Sequence, residues 1–176
     1  MVHRTATDED RLIEKWIEPD PRKPGAEEAR IKRYSVNVWA IIGYLGTEDG
    51  NPVDVAQGYK IPGEAVEAAI AYYRRRKACI DVRIRANSGE RVEVGAEPLI
   101  RKHITLDPDW DSEDDARIKG YGMNVWALIG AYRGAGEDIN EVARSYGVPV
   151  EVVEAALRYY RLHKDAIDCR LAAHMA

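Results

Sequence analysis

Between residues 62 and 85, Val66, Ile70, Tyr73, Lys77, Ile80 and Ile84 are spaced 4, 3, 4, 3 and 4 apart. Val153, Leu157, Tyr160, Lys164, Ile167 and Leu171 repeat that spacing. Such alternation places residues on one face of an α-helix. The pattern therefore predicts long helices over 62 to about 85 and 149 to about 173. Each carries a narrow seam suited to packing along another helix. The lysine in mid-seam is the exception. The second half of each seam extends beyond what a three-helix unit needs, and predicts an interface with the other copy or a partner chain. Upstream, Val38, Trp39, Ile41, Ile42 and Leu45 follow the spacing of a buried helix face. Asn37 and Asn124 stand where an N-cap belongs. Gly46, and Gly134 with Gly136, end these helices. Between the flanking helices lie two short ones, Pro52–Tyr59 and Ile139–Tyr146. Asp138 caps the latter, with Glu141 as capping-box partner, and Gly147 is a natural residue to follow it.

The chain before these helices reads differently. Residues 13–17 and 100–104 are expected to form short strands, followed by breaks at Asp20-Pro21 and Asp107-Pro108. Acidic, irregular stretches follow at 24–28 and 111–115. Polar and apolar residues alternate over 30–36, which predicts a second short strand and a small hairpin.

Both descriptions apply twice because the chain is a tandem duplication. Ala29 and Ala116 are 87 residues apart, and the same offset joins Trp39 to Trp126, Ala56 to Ala143, Tyr73 to Tyr160 and Asp81 to Asp168. No gap is needed between residues 12–89 and the copy that begins at about 99. So long a period implies two small domains rather than turns of a solenoid. The expected division is a first repeat unit at 1–90, a linker at 91–98 and a second unit at 99–176. The expected fold class is mainly α: two tandem helix-turn-helix, homeodomain-like units of three helices, each preceded by a short β-hairpin, with long third helices.

Composition narrows the function. Of 176 residues 32% are charged and the net charge is −4, which argues against a protein that coats nucleic acid without specificity. No apolar run is long enough to span a membrane, and the first residues lack the apolar core of a signal peptide. Those readings place the chain in the cytoplasm, with no membrane partner. Cys79 and Cys169 do not match at the 87-residue offset, so the expectation is two free thiols in a reducing compartment.

A short helix, tight turn and second helix suggest DNA binding. Ala143, Gly147 and Val153 have the motif's spacing; Ala56 and Val66 fit in the first copy, with Lys60 at the turn. The exposed start of a recognition helix normally reads bases with Arg, Lys, Asn or Gln. Here those positions are Gly63, Glu64 and Glu67, or Val150, Glu151 and Glu154. The candidate DNA contacts are therefore Arg30, Lys32, Gln57, Lys60, Arg117, Lys119, Arg144 and Arg158. The candidate partner-binding residues lie on the long seams: Tyr73, Arg74, Lys77, Ile80, Ile84, Tyr160, Arg161, Lys164, Ile167 and Leu171.

Residues Val53-Asp54-Val55-Ala56-Gln57-Gly58-Tyr59-Lys60-Ile61-Pro62 through Ala68-Ala69-Ile70-Ala71-Tyr72-Tyr73-Arg74 resemble the bacterial family catalogued as domain of unknown function 433. So do Glu141-Val142-Ala143-Arg144-Ser145-Tyr146-Gly147-Val148-Pro149 and the run from Ala155 to Asp168. The segment Arg117-Ile118-Lys119-Gly120-Tyr121-Gly122-Met123-Asn124-Val125-Trp126 looks like that family's strand into the first helix. The resemblance implies a homeodomain-like fold and an antitoxin of the kind encoded beside PIN-like ribonuclease toxins. It implies a protein that neutralises the toxin and represses its own operon by binding operator DNA. The chain departs from the pattern in carrying two units. It also has Arg33-Tyr34-Ser35 and Gly120-Tyr121-Gly122 where many members have Gly-Thr-Arg, and Asn37 or Asn124 in place of their usual proline.

No spacing for nucleophilic catalysis or metal ligation stands out, and the four histidines include no equivalent pair. Lys77 and Asp81, and Lys164 and Asp168, are i, i+4 pairs of ordinary surface chemistry. The expectation is a non-enzyme without cofactors. Covalent linkage holds the two repeats at roughly millimolar effective concentration, so the repeats are expected to pair within the chain, with a homodimer as further association. The alternative function is a self-associating helical interaction module with no nucleic-acid role.

Overall fold

The computed structural model describes residues 7–23, 25–47, 50–89, 93–106 and 112–174. The chain is mainly α and divides into two units, Met1–Ile84 and Arg85–Ala176, each with its own apolar core. The first unit contains α1 (Asp8–Trp16), β1 (Ile17–Glu18), a 3-10 turn (Ala26–Glu28), β2 (Arg30–Ile31), α2 (Val38–Leu45), α3 (Pro52–Tyr59) and α4 (Gly63–Arg75). The division falls within α5 (Lys77–Asn87). The second unit repeats the order: α6 (Pro98–His103), β3 (Ile104–Thr105), a 3-10 turn (Glu113–Asp115), β4 (Arg117–Ile118), α7 (Val125–Gly134), α8 (Ile139–Tyr146), α9 (Val150–Leu162) and α10 (Lys164–His174).

The 87-residue offset holds in three dimensions. Ile17 pairs with Ile31 in one antiparallel ladder, and Ile104 with Ile118 in the other. Val38, Ile41, Val55, Val66, Ala69 and Ile80 are fully buried in the first core. Val125, Leu128, Val142, Val153, Ala156 and Ile167 take the matching places in the second. In each unit the short helix and the first helix pack on the third.

Residues 13–17 do not form the expected strand. They close α1, and Ile17 alone passes into β1. The helix wins because Thr7 and Asp10 form a capping box, Asp8, Glu9 and Asp10 fill the first turn, and Lys15 sits in the last. Leu12, Ile13 and Trp16 then share one face against the core. Likewise 100–103 belong to α6, with Pro98 at its first turn. The strand expected over 30–36 shortens to two residues, because 32–35 fold into a tight turn closed by Ile31 N–H donating to Val36 O at 2.7 Å. Asn37 and Asn124 are the N-cap residues, but their side chains make no capping bond. Backbone supplies it instead: Val38 N–H donates to Ala29 O at 2.9 Å and Val125 N–H to Ala116 O at 2.8 Å. Asp138 does cap α8, accepting from Asn140 and Glu141 N–H, while the Glu141 carboxylate turns to Arg144 and Ser145. Asp107 and Pro108, and the acidic-stretch residues Pro24 and Asp111, lie outside the described residues.

Each long third helix is broken, at Arg76 and at His163. Neither glycine nor proline marks the break. A straight helix over 63–87 would run about 37 Å and carry Ile80 and Ile84 past the core. The break turns α5 and α10 back instead, so Ile80, Ile167 and Leu171 are buried within their own units and Ile84 packs against its core. The seam's second half is thus core, not a free extension. Both cysteines are disulfide-bonded and neither is free, which corrects the expectation of two thiols. Lack of equivalence within a duplication does not prevent a bond, which requires only that two sulfurs be placed within reach.

Candidate functional site

The helix pair α3–α4 and its copy α8–α9 turn through residues in the left-handed conformation, Lys60 (φ 55°) and Gly147 (φ 64°). Ile61 N–H donates to Ala56 O at 2.9 Å and Val148 N–H to Ala143 O at 3.0 Å, closing both turns alike. Lysine is an unusual residue for that conformation, so the first copy keeps the turn at a cost of about 1 kcal/mol that the glycine avoids.

The outer face of the third helix is not bare. α1 packs along α4. Lys15 holds Glu64 at 2.6 Å, Arg74 meets Glu9 at 3.3 Å, and Arg75 reaches Asp10 at 2.5 Å. The Asp10 carboxyl is held well below its usual range by the Thr7 hydroxyl, then by the Thr7 N–H and Arg75. In the second unit Lys102 holds Glu151 at 2.9 Å and His103 lies 3.5 Å from it. Lys15 and Lys102 lower the pKa of these two glutamates through hydrogen bonds. The acidic starts of α4 and α9 are therefore partnered by α1 and α6.

The residues expected to touch DNA are scattered among different roles. Arg30 is half-buried and paired with Glu18 at 2.9 Å. Lys32 donates to Glu14 O and Lys119 to Arg101 O, each tying the turn after the strand to the carbonyl end of a helix. There a cation is favoured by the helix dipole. Arg144 pairs with Glu141, and Arg158 with Glu97. Arg117 is exposed. Gln57 and Lys60 are exposed at the end of α3 with no side-chain partner among the described residues.

The seam residues form a clasp at each helix break. Tyr73 donates to Asp81 at 2.9 Å, Lys77 pairs with the same carboxylate, and the ammonium lies 5.5 Å from the tyrosine ring. Tyr160, Lys164 and Asp168 repeat this, with Arg133 added from α7 at 2.5 Å from Asp168. Asp81 and Asp168 raise the pKa of their lysines. Burial works against ionisation of Asp168, but Lys164, Arg133 and Tyr160 outweigh it and lower its pKa. Of the remaining expected contacts, Arg74 is paired and Arg161 is exposed.

Two repeated features carry no expectation from the sequence reading. Arg83 pairs with Glu28 at 3.0 Å and stacks over Trp39; Arg170 pairs with Asp115 at 3.1 Å. Tyr72 and Tyr159 donate to the carbonyls of Ala26 and Glu113 at 3.0 and 2.9 Å. The ion pairs and the tyrosine bonds recur at the 87-residue offset, and that recurrence of residues was the signal available; Trp126 instead meets the His174 ring. Exposed apolar groups differ between the copies: Tyr44 and Val53 in the first, Tyr146, Val150 and Leu162 in the second. Among the described residues no group of three or more His, Cys, Asp or Glu is placed to hold a metal, and no helix is long and apolar enough to cross a membrane. No family model, curated protein or solved structure matches the chain.

Proposed function

We propose that this chain is a non-catalytic, antitoxin-like regulator that binds and neutralises a PIN-like toxin in the cytoplasm and represses its own operon. What supports the reading is the resemblance of the runs at 53–74 and 141–168 to the family catalogued as domain of unknown function 433, which implies an antitoxin role. Each covers most of a short helix, a left-handed turn and most or all of the 13-residue third helix that follows. Protein binding ranks ahead of base reading, because Glu64 and Glu151 stand at the starts of the third helices, tied to Lys15 and Lys102. Carboxylates oppose phosphates, and that geometry puts no Arg or Lys at the positions that read bases.

Co-expression with the product of the adjacent gene tests the first part: the two should elute together through affinity and size-exclusion steps. A neighbourhood without a toxin gene would remove this reading. Gel-shift titration of the chain's own promoter fragment tests the second part. Affinity should fall by about 0.9 log unit per log salt for each neutralised phosphate. A flat salt response or an unshifted fragment would remove operator binding and leave toxin binding standing.

A further inference from the structure

The third helices α4 and α9 are covered to different lengths. α1 has nine residues, and Glu9 and Asp10 in its first turn take up Arg74 and Arg75 in the last turn of α4. α6 has six residues and begins at Pro98. At the 87-residue offset Glu9 becomes Ala96 and Arg75 becomes Leu162. Glu97 still holds Arg158. Arg161, the counterpart of Arg74, is exposed and has no hydrogen-bond or ion-pair partner among the described residues. Leu162 beside it is 60% exposed. Glu154, two turns earlier, is likewise exposed without a partner among the described residues.

Val150, Glu154, Leu157 and Arg161 are spaced 4, 3 and 4, which puts them on one stripe of α9. Val150 is 39% exposed, and Leu157 is half-buried at the edge of the core. The stripe carries an acid towards its start and a base towards its end, about 10 Å apart along the axis. Turned end for end, it is complementary to itself. The same stripe on α4 is Gly63, Glu67, Ile70 and Arg74. There the first position offers no apolar side chain, and the arginine is spent on Glu9.

We infer that α9 pairs antiparallel with α9 of a second copy of this chain, about a two-fold axis beside Leu157. Glu154 of each copy then faces Arg161 of the other, and Val150 and Leu157 supply the apolar contact. A two-fold interface makes every such contact twice. Parallel pairing would set Glu154 against Glu154 and Arg161 against Arg161. One helix face covers less than the roughly 1,200–2,000 Å² of a standard interface, so the dimer is weak and depends on concentration. It goes beyond toxin binding, because the chain forms it alone. Its test contains no toxin, and its failure leaves that reading standing.

Sedimentation equilibrium of the full chain over about 1 µM to 1 mM tests it. The mass should rise from 19.8 kDa towards twice that value. Glu154→Arg and Arg161→Glu should each weaken association about tenfold, since each sets like charges opposite one another at two places. The double variant exchanges the charges and restores both pairs, so it should associate as the native chain does. Both positions are exposed, and recovery in the double variant also shows that the substitutions leave the fold intact. Glu67→Arg, at the matching place in the first copy, should leave association unchanged. A chain monomeric throughout overturns the inference and leaves the stripe to a different protein. It is equally overturned by a single reversal that associates as the native chain does, by a double variant no stronger than the single ones, or by Glu67→Arg weakening association as much as Glu154→Arg.

Discussion

Asp168 receives Lys164, Arg133 and the Tyr160 hydroxyl at the break between α9 and α10. Its pKa is lowered from 3.8 in the folded chain, so its stabilisation is complete above about pH 4 and is lost as pH falls through the lower folded value. Asp168→Asn should therefore cost about 1 kcal/mol at pH 7, the group being partly exposed. The difference from the native chain should shrink on acidification below pH 4. Urea unfolding at several pH values checks this; a difference independent of pH would refute it. The Lys164–Asp168 pair was legible from i, i+4 spacing, and so was its copy. Arg133 was not, because it arrives from α7, 35 residues away in sequence. Lys32 and Lys119 read as DNA contacts because a lysine in a basic run carries no sign that a helix end will accept it.

The broken third helix is the element that sequence periodicity alone missed. The 4-3 spacing continues through Arg76 and His163 without glycine or proline, since the kink preserves the face and changes only its direction. Its consequence is measurable. Ile167→Ala should destabilise the second unit by about 2–4 kcal/mol, the cost of a buried large-to-small change, and truncation after His163 should unfold that unit because Ile167 and Leu171 leave its core. Thermal melts that match the native chain would restore the idea of a free extension. The two copies also differ in a way one substitution can expose. A Cβ at Gly43 meets nothing within 4 Å, whereas one at Gly130 lies 3.0 Å from Leu171 Cδ2. Gly43→Ala should stabilise α2 by about 0.5–1 kcal/mol, and Gly130→Ala should gain less or lose. Equal gains would contradict the packing of α10 on α7. The short middle helices were legible to the residue, because Pro52, Asp138 and Gly147 are chemical start and stop signals. The strand at 13–17 was misread because the Thr7 and Asp10 cap lies outside the window that looked β-like.

At the scale of the whole chain, the duplication was the most legible feature, since core positions, strand register and clasp residues all recur at one offset. What has drifted is surface: Tyr44 and Val53 stand exposed in one unit, Tyr146, Val150 and Leu162 in the other. Two units with one scaffold and different surfaces suit a regulator that presents distinct faces to its partners. The disulfide-bonded cysteines were illegible because the duplication gave neither of them an equivalent in the other copy. The central claim is that this chain neutralises a PIN-like toxin. The most direct measurement is ribonuclease activity of the neighbouring PIN-like protein titrated with the purified chain. Activity should fall to background and saturate at a fixed molar ratio; activity unchanged by excess chain would contradict the account.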